Sequence, residues 1–201
     1  MQTITRREFT GRLGGGVLLT VLLRLGAIGG VALTLAGCLM DTILAYANLA
    51  VKAFNAVVQV LASLGITALP GGALITVVAQ AISSALTAVS NAVTAYENAP
   101  AADKATTKLA ITLAIYEAIA QLQTFWTNLN IKNATVQALI TAIIAGLQGF
   151  LPQLPVPPNP AAVTAHIAAL TPVPKLYKHP VDFQNDINAI LTTGGYGRLA
   201  I

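Results

Sequence analysis

Apolar residues recur with a helical period along the chain after residue 38, and this pattern constrains the fold more than any other feature. Apolar positions return every three, four or seven residues with polar residues opposite them, as on an amphipathic helix. We find no alternating pattern long enough for a useful β-strand. The pattern predicts an all-α chain with four long helices, over 39–64, 73–98, 104–129 and 134–151.

Helix-breaking and capping residues mark the ends of these segments. Gly65 and the Pro-Gly-Gly turn at 70–72 separate the first two helices. Asp103 and Asn133 stand where side-chain caps are expected for the third and fourth helices. The expected outward stripe of the second helix is Thr76, Gln80, Ser83, Thr87, Ser90 and Thr94. The expected inward residues of the other three are, for the first helix, Ile43, Tyr46, Ala47, Ala50, Phe54, Val57, Val58 and Leu61, for the third, Leu109, Leu113, Tyr116, Ile119, Leu122, Trp126 and Leu129, and for the fourth, Val136, Leu139, Ile140, Ile143, Ile144, Leu147 and Phe150.

Short connections force successive helices to run antiparallel. We therefore expect an up-down-up-down four-helix bundle over 38–151. A proline-rich stretch from Pro152 to Pro160 is then expected to be extended, because proline disrupts a helix interior. One or two short helices should follow, over 160–170 and 183–191, the latter capped by Asp182 and ended by glycines. Residues 152–201 are expected to pack on the bundle.

The first 37 residues have the layout of a targeting segment rather than of a folded domain. Arg6, Arg7 and Arg12 precede an apolar stretch over 13–37 that is rich in glycine and leucine. Its length would also allow an uncleaved transmembrane anchor. Arg24 argues against that alternative, since an arginine near the centre of a spanning helix costs about 2.5–3.5 kcal/mol.

Two short motifs in this segment resemble bacterial export signals. Thr5-Arg6-Arg7-Glu8-Phe9 resembles the twin-arginine motif, in which Arg6, Arg7 and Phe9 would be the defining residues. The family usually continues with leucine and lysine, where this chain has threonine and glycine. The second motif, made of Leu35, Ala36, Gly37 and Cys38, resembles the lipobox of bacterial lipoproteins at all four positions.

The lipobox resemblance implies how the chain would be processed. In that family the cysteine receives a diacylglycerol and the chain is cut before it, so Cys38 would be the lipidated N-terminus. Two or more acyl chains give stable membrane anchoring. The expected location is the cell envelope, facing the periplasm or the exterior. Leu39 stands where an inner-membrane retention signal often has aspartate, which favours an outer membrane where the cell has one.

The polar faces of the predicted helices are mostly uncharged, which is unusual for a soluble bundle. Only 9% of the residues are charged, against about 25% in an ordinary domain, and Ser, Thr, Asn and Gln take the outward positions. Three explanations remain open: compositional drift, packing against copies or a partner, and contact with a membrane. The net charge of +4 comes mainly from the first 37 residues, so nothing indicates a nucleic-acid partner.

The residues that support metal or acid–base chemistry are scarce. His166 and His179 are the only histidines, and neither lies on a long helix. His179, Asp182 and Asp186 form a loose string, which we interpret as a helix cap beside a loop histidine rather than a metal site. Glu97 and Glu117 are not expected to form a catalytic pair. We expect no metal, no cofactor and no catalytic residue.

A basic cluster and an aromatic pair are two further features that could bind a ligand. Lys175, Lys178 and His179 form a small basic cluster that could touch lipid head groups, although a solvated loop is the simpler interpretation. Phe125 and Trp126 are expected to anchor the core rather than to form a ligand platform.

These observations favour a non-enzymatic, lipid-anchored helical protein with a structural or interaction role. Its expected partners are the membrane, through the lipid on Cys38, and either a second copy or another envelope protein. The alternatives are a carrier of an apolar molecule near Phe54, Tyr116 and Trp126, and a membrane-inserted helical bundle.

Overall fold

In the computed structural model, residues 39–129, 132–157 and 175–199 are described, and within them the chain is all-α, as predicted. They contain five α-helices and no β-strand beyond one isolated bridge between Ala68 and Leu74. The helices are α1 (Leu39–Ser63), α2 (Ile75–Asn98), α3 (Lys104–Asn128), α4 (Ala134–Phe150) and α5 (Pro180–Thr193).

The chain divides into two units, Met1–Met40 and Asp41–Ile201, and of the first unit the structure describes only Leu39 and Met40. The predicted targeting segment, with Arg6, Arg7, Phe9 and the lipobox from Leu35 to Cys38, lies outside the described residues. The second unit contains the bundle and the C-terminal helix.

Helices α1 to α4 pack around one core, and their ends lie within two residues of the predicted ones. Contacts join α1 to each of the other three bundle helices. Ser90 Oγ of α2 donates a hydrogen bond to Asn48 Oδ1 at 3.0 Å, the ring of Phe54 meets that of Phe125 on α3 edge to face, and the Tyr46 hydroxyl bonds to α4. Because the loops are short and the core is shared, the helices form the predicted four-helix bundle.

The predicted caps had different outcomes. Asn133 caps α4, since its side chain accepts a hydrogen bond from the Val136 amide at 3.0 Å. Asp103 does not cap α3 with its side chain. It is the last residue of a 3₁₀ turn, Ala101–Asp103, that runs directly into the helix. A backbone already in the helical region cannot place the carboxylate over the first free amides.

The predicted face of α3 was partly wrong. Leu113 is 45% exposed, and Tyr116 and Trp126 are only half-buried. Ile111, Ile115 and Phe125 fill the core instead. Apolar residues occur all round this helix, so the sequence gives little asymmetry from which to choose the inward face.

Ser90 was also misplaced by the sequence pattern, which put it on the outward stripe of α2. It is buried, and its hydroxyl is bonded to Asn48 on α1. The hydroxyl is small enough to enter the interface between two helices and finds a partner there, which removes most of the cost of burying it.

The C-terminal region differs from the prediction in two places. Pro152 lies in a 3₁₀ turn, Leu151–Gln153, that continues α4 instead of starting an extended stretch. Proline is tolerated there because the first turn of a helix does not use its amide hydrogens. For the same reason α5 begins at Pro180, so Asp182 lies in its first turn and is not its cap. The predicted helix over 160–170 lies outside the described residues.

Helix α4 has the largest buried fraction of the described helices. All eight residues over 143–150 are buried, including Gly146, Gln148 and Gly149. Three helices, α1, α2 and the 20 residues Ala134–Gln153, are long and apolar enough to cross a membrane by length and composition. The most apolar 18-residue windows of these helices differ in environment, since 50%, 28% and 61% of their residues are buried inside the protein.

Candidate functional site

Four aromatic rings gather where α5 and the segment before it meet α1 and α4. The ring of Tyr46 lies 4.3 Å from Phe183, 5.3 Å from Phe150 and 5.9 Å from Tyr177, measured between centroids. The hydroxyl of Tyr46 donates a hydrogen bond to the carbonyl oxygen of Ile143 at 2.9 Å. We call these four residues the aromatic cluster. It fixes the C-terminal region to the bundle through large buried apolar surfaces.

Two glycines in α4 make this close packing possible. A Cβ atom at Gly149 would stand 2.6 Å from the carbonyl oxygen of Lys175, and one at Gly146 would collide with the Tyr46 hydroxyl. The amide of Lys175 donates a hydrogen bond to the carbonyl oxygen of Ala145 at 2.9 Å. The backbone before α5 therefore lies directly against α4.

Asp186 organises the polar edge of the aromatic cluster. It forms an ion pair with Lys175 and accepts a hydrogen bond from the Tyr177 hydroxyl at 2.9 Å. Burial raises the pKa of Tyr177 above its ordinary value near 10, and the hydrogen bond to Asp186 and the charge of Asp186 raise it further. Burial, with smaller contributions from Tyr177 and Asp186, raises the pKa of Tyr46 as well. Both hydroxyls thus stay protonated and act as hydrogen-bond donors.

A groove of about 560 Å³ runs along α4 beside this edge. We call it the α4 groove. Its lining includes Trp126 of α3 and three residues of the C-terminal region, Lys175, Tyr177 and Asp186. The α4 residues that line it are Ala134, Gln137, Ala138, Thr141, Ala142 and Ala145.

A second groove, of about 440 Å³, lies between α1 and the residues after α5. Lys52 and Arg198 line it together with the amide side chains of Asn55 and Gln59. The tail is tied to α5 by a hydrogen bond from the Leu199 amide to Asn188 Oδ1 at 2.8 Å.

The outer face of α2 is a third feature. It exposes one larger apolar residue, Val77, which is 63% exposed. Nothing charged interrupts it over six turns. Its exposed residues are Thr76, Val77, Gln80, Ala81, Ser84, Thr87, Ala88, Asn91, Thr94 and Ala95. We call this set the α2 face.

The histidine and the acidic residues considered above for metal or acid–base chemistry have different surroundings. Asp186 faces Lys175 and Tyr177, whereas His179 and Asp182 are exposed. Glu117 accepts a hydrogen bond from Gln121 of its own helix at 2.8 Å. Among the residues that the structure describes, no three His, Cys, Asp or Glu side chains group as metal ligands would. In the basic cluster, Lys175 is paired with Asp186, and Lys178 and His179 are exposed.

The three residues considered for an apolar carrier occupy different surroundings. Phe54 is fully buried, with its ring 5.4 Å from that of Phe125. Trp126 is half-buried at the α4 groove, and Tyr116 is half-buried elsewhere on α3. The expectation of a core anchor was correct for Phe125, but Trp126 faces a groove.

Sequence reasoning missed most of the residues around the α4 groove. It placed Tyr46 on the inward face of α1 but did not find its bond to α4, and it did not single out Tyr177. No local pattern links Tyr177 to Asp186, which lie on either side of a helix start. The spacing of Gly146 and Gly149, one helical turn apart, was the available signal for a close approach on α4.

Comparison of the chain with protein-family models, with curated proteins and with solved structures found no match.

Proposed function

We propose that this protein is a non-enzymatic helical bundle, attached to a membrane through lipid on Cys38, that acts by protein contact through the α2 face. The main observation in support is the exposure of that face. Only 28% of the most apolar window of α2 is buried, and the exposed side chains over 76–95 are all uncharged. A surface without charges has little desolvation cost when it is covered by another protein.

The membrane-inserted alternative is supported by the three helices of sufficient length. The direction in which their side chains point weighs against it. The large residues of α1 and α4, such as Phe54, Leu139 and Ile143, are buried against other helices. Helices surrounded by lipid would turn many such residues outward, whereas α2 turns Thr, Ser, Asn and Gln outward. We therefore infer that the apolar composition forms an internal core, with water or protein outside.

The first partner to test is a second copy of the chain. The protein would start at residue 38 with Cys38→Ser, so that acylation does not interfere, and light scattering would be measured over a range of concentrations. We expect concentration-dependent association. A paired change, Ser84→Glu with Asn91→Glu, places like charges on the α2 face of both copies and should produce a monomer.

The matched control places the same charges on α3, at the exposed positions Ala110 and Thr124. This variant should associate like the parent. A parent protein that remains monomeric at every concentration would contradict self-association, and equal effects of the two charge pairs would remove the α2 face from the interface.

The membrane attachment needs a separate test. Intact-mass analysis of protein from the native host should show an acylated chain that begins at Cys38. An unmodified polypeptide that still begins at Met1 would refute both the processing and the anchor.

A further inference from the structure

The α4 groove combines an apolar surface with a built polar edge. Its α4 surface extends from Ala134 to Ala145, about 16 Å at 1.5 Å per residue, and four of its six side chains there are alanine methyls. The only tryptophan of the chain, Trp126, also lines it. Pockets for small molecules typically have such an apolar lining with a few convergent polar groups, and volumes of about 300–1,000 Å³.

The polar side of the groove is held in place by contacts that run deep into the protein. Tyr177 is buried, stacks on Tyr46 and donates to Asp186. The backbone of Lys175 is fixed by its bond to Ala145 and by close contact with Gly149. Asp186 is thus held in a defined position before a ligand binds, which lowers the entropic cost of binding.

The charges at this edge cancel. Lys175 and Asp186 form an ion pair, and their side chains remain 55% and 40% exposed. A charged ligand would meet one like and one opposite charge, so the pair favours neither sign. A purely apolar ligand would displace the water bound to both charged groups and would offer no hydrogen bonds in its place. A neutral ligand with hydroxyl groups can donate to Asp186 and accept from Lys175, which are charge-assisted hydrogen bonds.

We propose that the α4 groove binds a neutral saccharide, with the C–H face of a sugar ring against Trp126 and its hydroxyl groups on Asp186 and Lys175. A pyranose ring has an apolar face and a polar rim, which matches an aromatic and alanine surface beside an ion pair. The volume of about 560 Å³ accommodates one or two rings. This site is independent of the α2 face and of the lipid on Cys38.

Trp126 provides a direct probe, because its fluorescence is the only tryptophan signal in the chain. The mature protein with Cys38→Ser would be titrated with cellobiose and with N,N′-diacetylchitobiose. We expect a saturable change in emission with at least one of them by about 50 mM, where a complex with a Kd near 1 mM is almost saturated. Saturation-transfer NMR would measure the same binding independently of the fluorescence.

Two variants test the assigned residues. Asp186→Asn removes the charged acceptor at nearly constant shape and should weaken binding about tenfold. Its control is Asp182→Asn, an exposed position on the same helix that does not line the groove, and it should leave the affinity within about twofold. Ala138→Leu should block the groove, whereas Ala88→Leu on α2 should not. Far-UV circular dichroism would check that each variant is folded.

Absence of any saturable change with both disaccharides would overturn the proposal. Equal weakening by Asp186→Asn and Asp182→Asn would do the same, because it would place the sugar elsewhere. A change in Trp126 fluorescence with 1-octanol, without one for either disaccharide, would show that the groove binds an apolar ligand and not a saccharide. Ser84→Glu with Asn91→Glu should leave saccharide binding unchanged, so the fate of this site and that of the α2 interface are decided separately.

Discussion

Helices α2 and α4 have similar apolar compositions but opposite environments. Helix α2 and the 20 residues Ala134–Gln153, which contain α4, are both apolar enough to cross a membrane by length and composition. Yet 61% of the α4 window is buried inside the protein, against 28% of the α2 window. Hydropathy thus measures what a helix is made of and does not say what covers it. Helix α4 is covered by its own chain, whereas the α2 face is left for water or for a partner.

The largest expected effect comes from truncating one apolar residue in each helix. Phe150→Ala in α4 removes a fully buried ring and should lower the free energy of unfolding by about 3–5 kcal/mol. Val77→Ala in α2, at a position that is 63% exposed, should change it by no more than about 0.5 kcal/mol. Urea denaturation followed by circular dichroism measures both.

This pair of variants also tests the proposed interface. If Val77→Ala costs stability only at high protein concentration, a second copy covers the α2 face. If it costs as much as Phe150→Ala at every concentration, the contrast between the two helices is wrong.

A second prediction concerns the close contact between Gly149 of α4 and the backbone of Lys175. At a solvent-exposed helical position, a change from glycine to alanine stabilises the helix by about 1 kcal/mol. Here the new methyl group would meet the Lys175 carbonyl oxygen at 2.6 Å, so we expect a net loss of about 2 kcal/mol in stability. Thermal unfolding measures the change. Gly197→Ala, where nothing lies within 4 Å of the new Cβ, is the control and should be nearly neutral. A stabilised Gly149→Ala variant would show that the segment is not held against α4.

A third and smaller effect should appear at alkaline pH. The pKa values of Tyr46 and Tyr177 are raised in the folded protein, so the folded state keeps protons that the unfolded state loses above about pH 10. Stability therefore decreases as the pH rises through and beyond 10, by up to about 1.4 kcal/mol for each tyrosine at pH 11.

The measurement is urea denaturation between pH 8 and pH 11. Tyr177→Phe should flatten this dependence, since phenylalanine cannot ionise. Tyr116→Phe, at a half-buried position outside the aromatic cluster, should retain it. A parent protein with constant stability over this range would show that the two hydroxyls are not buried as described.

The parts of the fold that were predictable from sequence are those with strong local signals. The ends of α1 to α4 followed from glycine, proline and the Asn133 cap. The inward faces of α1 and α4 were largely correct, because their large apolar residues lie on one side or crowd the whole helix. The face of α3 was not predictable, because Leu113 and Ile115 are equally apolar and only the neighbours of α3 decide which is buried.

The candidate site was almost wholly a tertiary result. Lys175, Tyr177 and Asp186 were read as parts of a loop and a helix start, and Trp126 as a core residue. Their meeting along α4 depends on how the C-terminal region folds back. That involves contacts between residues as far apart in sequence as Lys175 and Ala145 or Tyr46 and Tyr177. Local periodicity contains no information on such distances.

The sequence by itself determined that this chain is helical and which segments form its long helices, because propensity, period and breaking residues act within a few turns. Only the tertiary structure decided which apolar helix became the most buried, which face of α3 turned inward, and which distant residues line the α4 groove. These outcomes depend on which surfaces exclude water together, and that competition involves every helix at once.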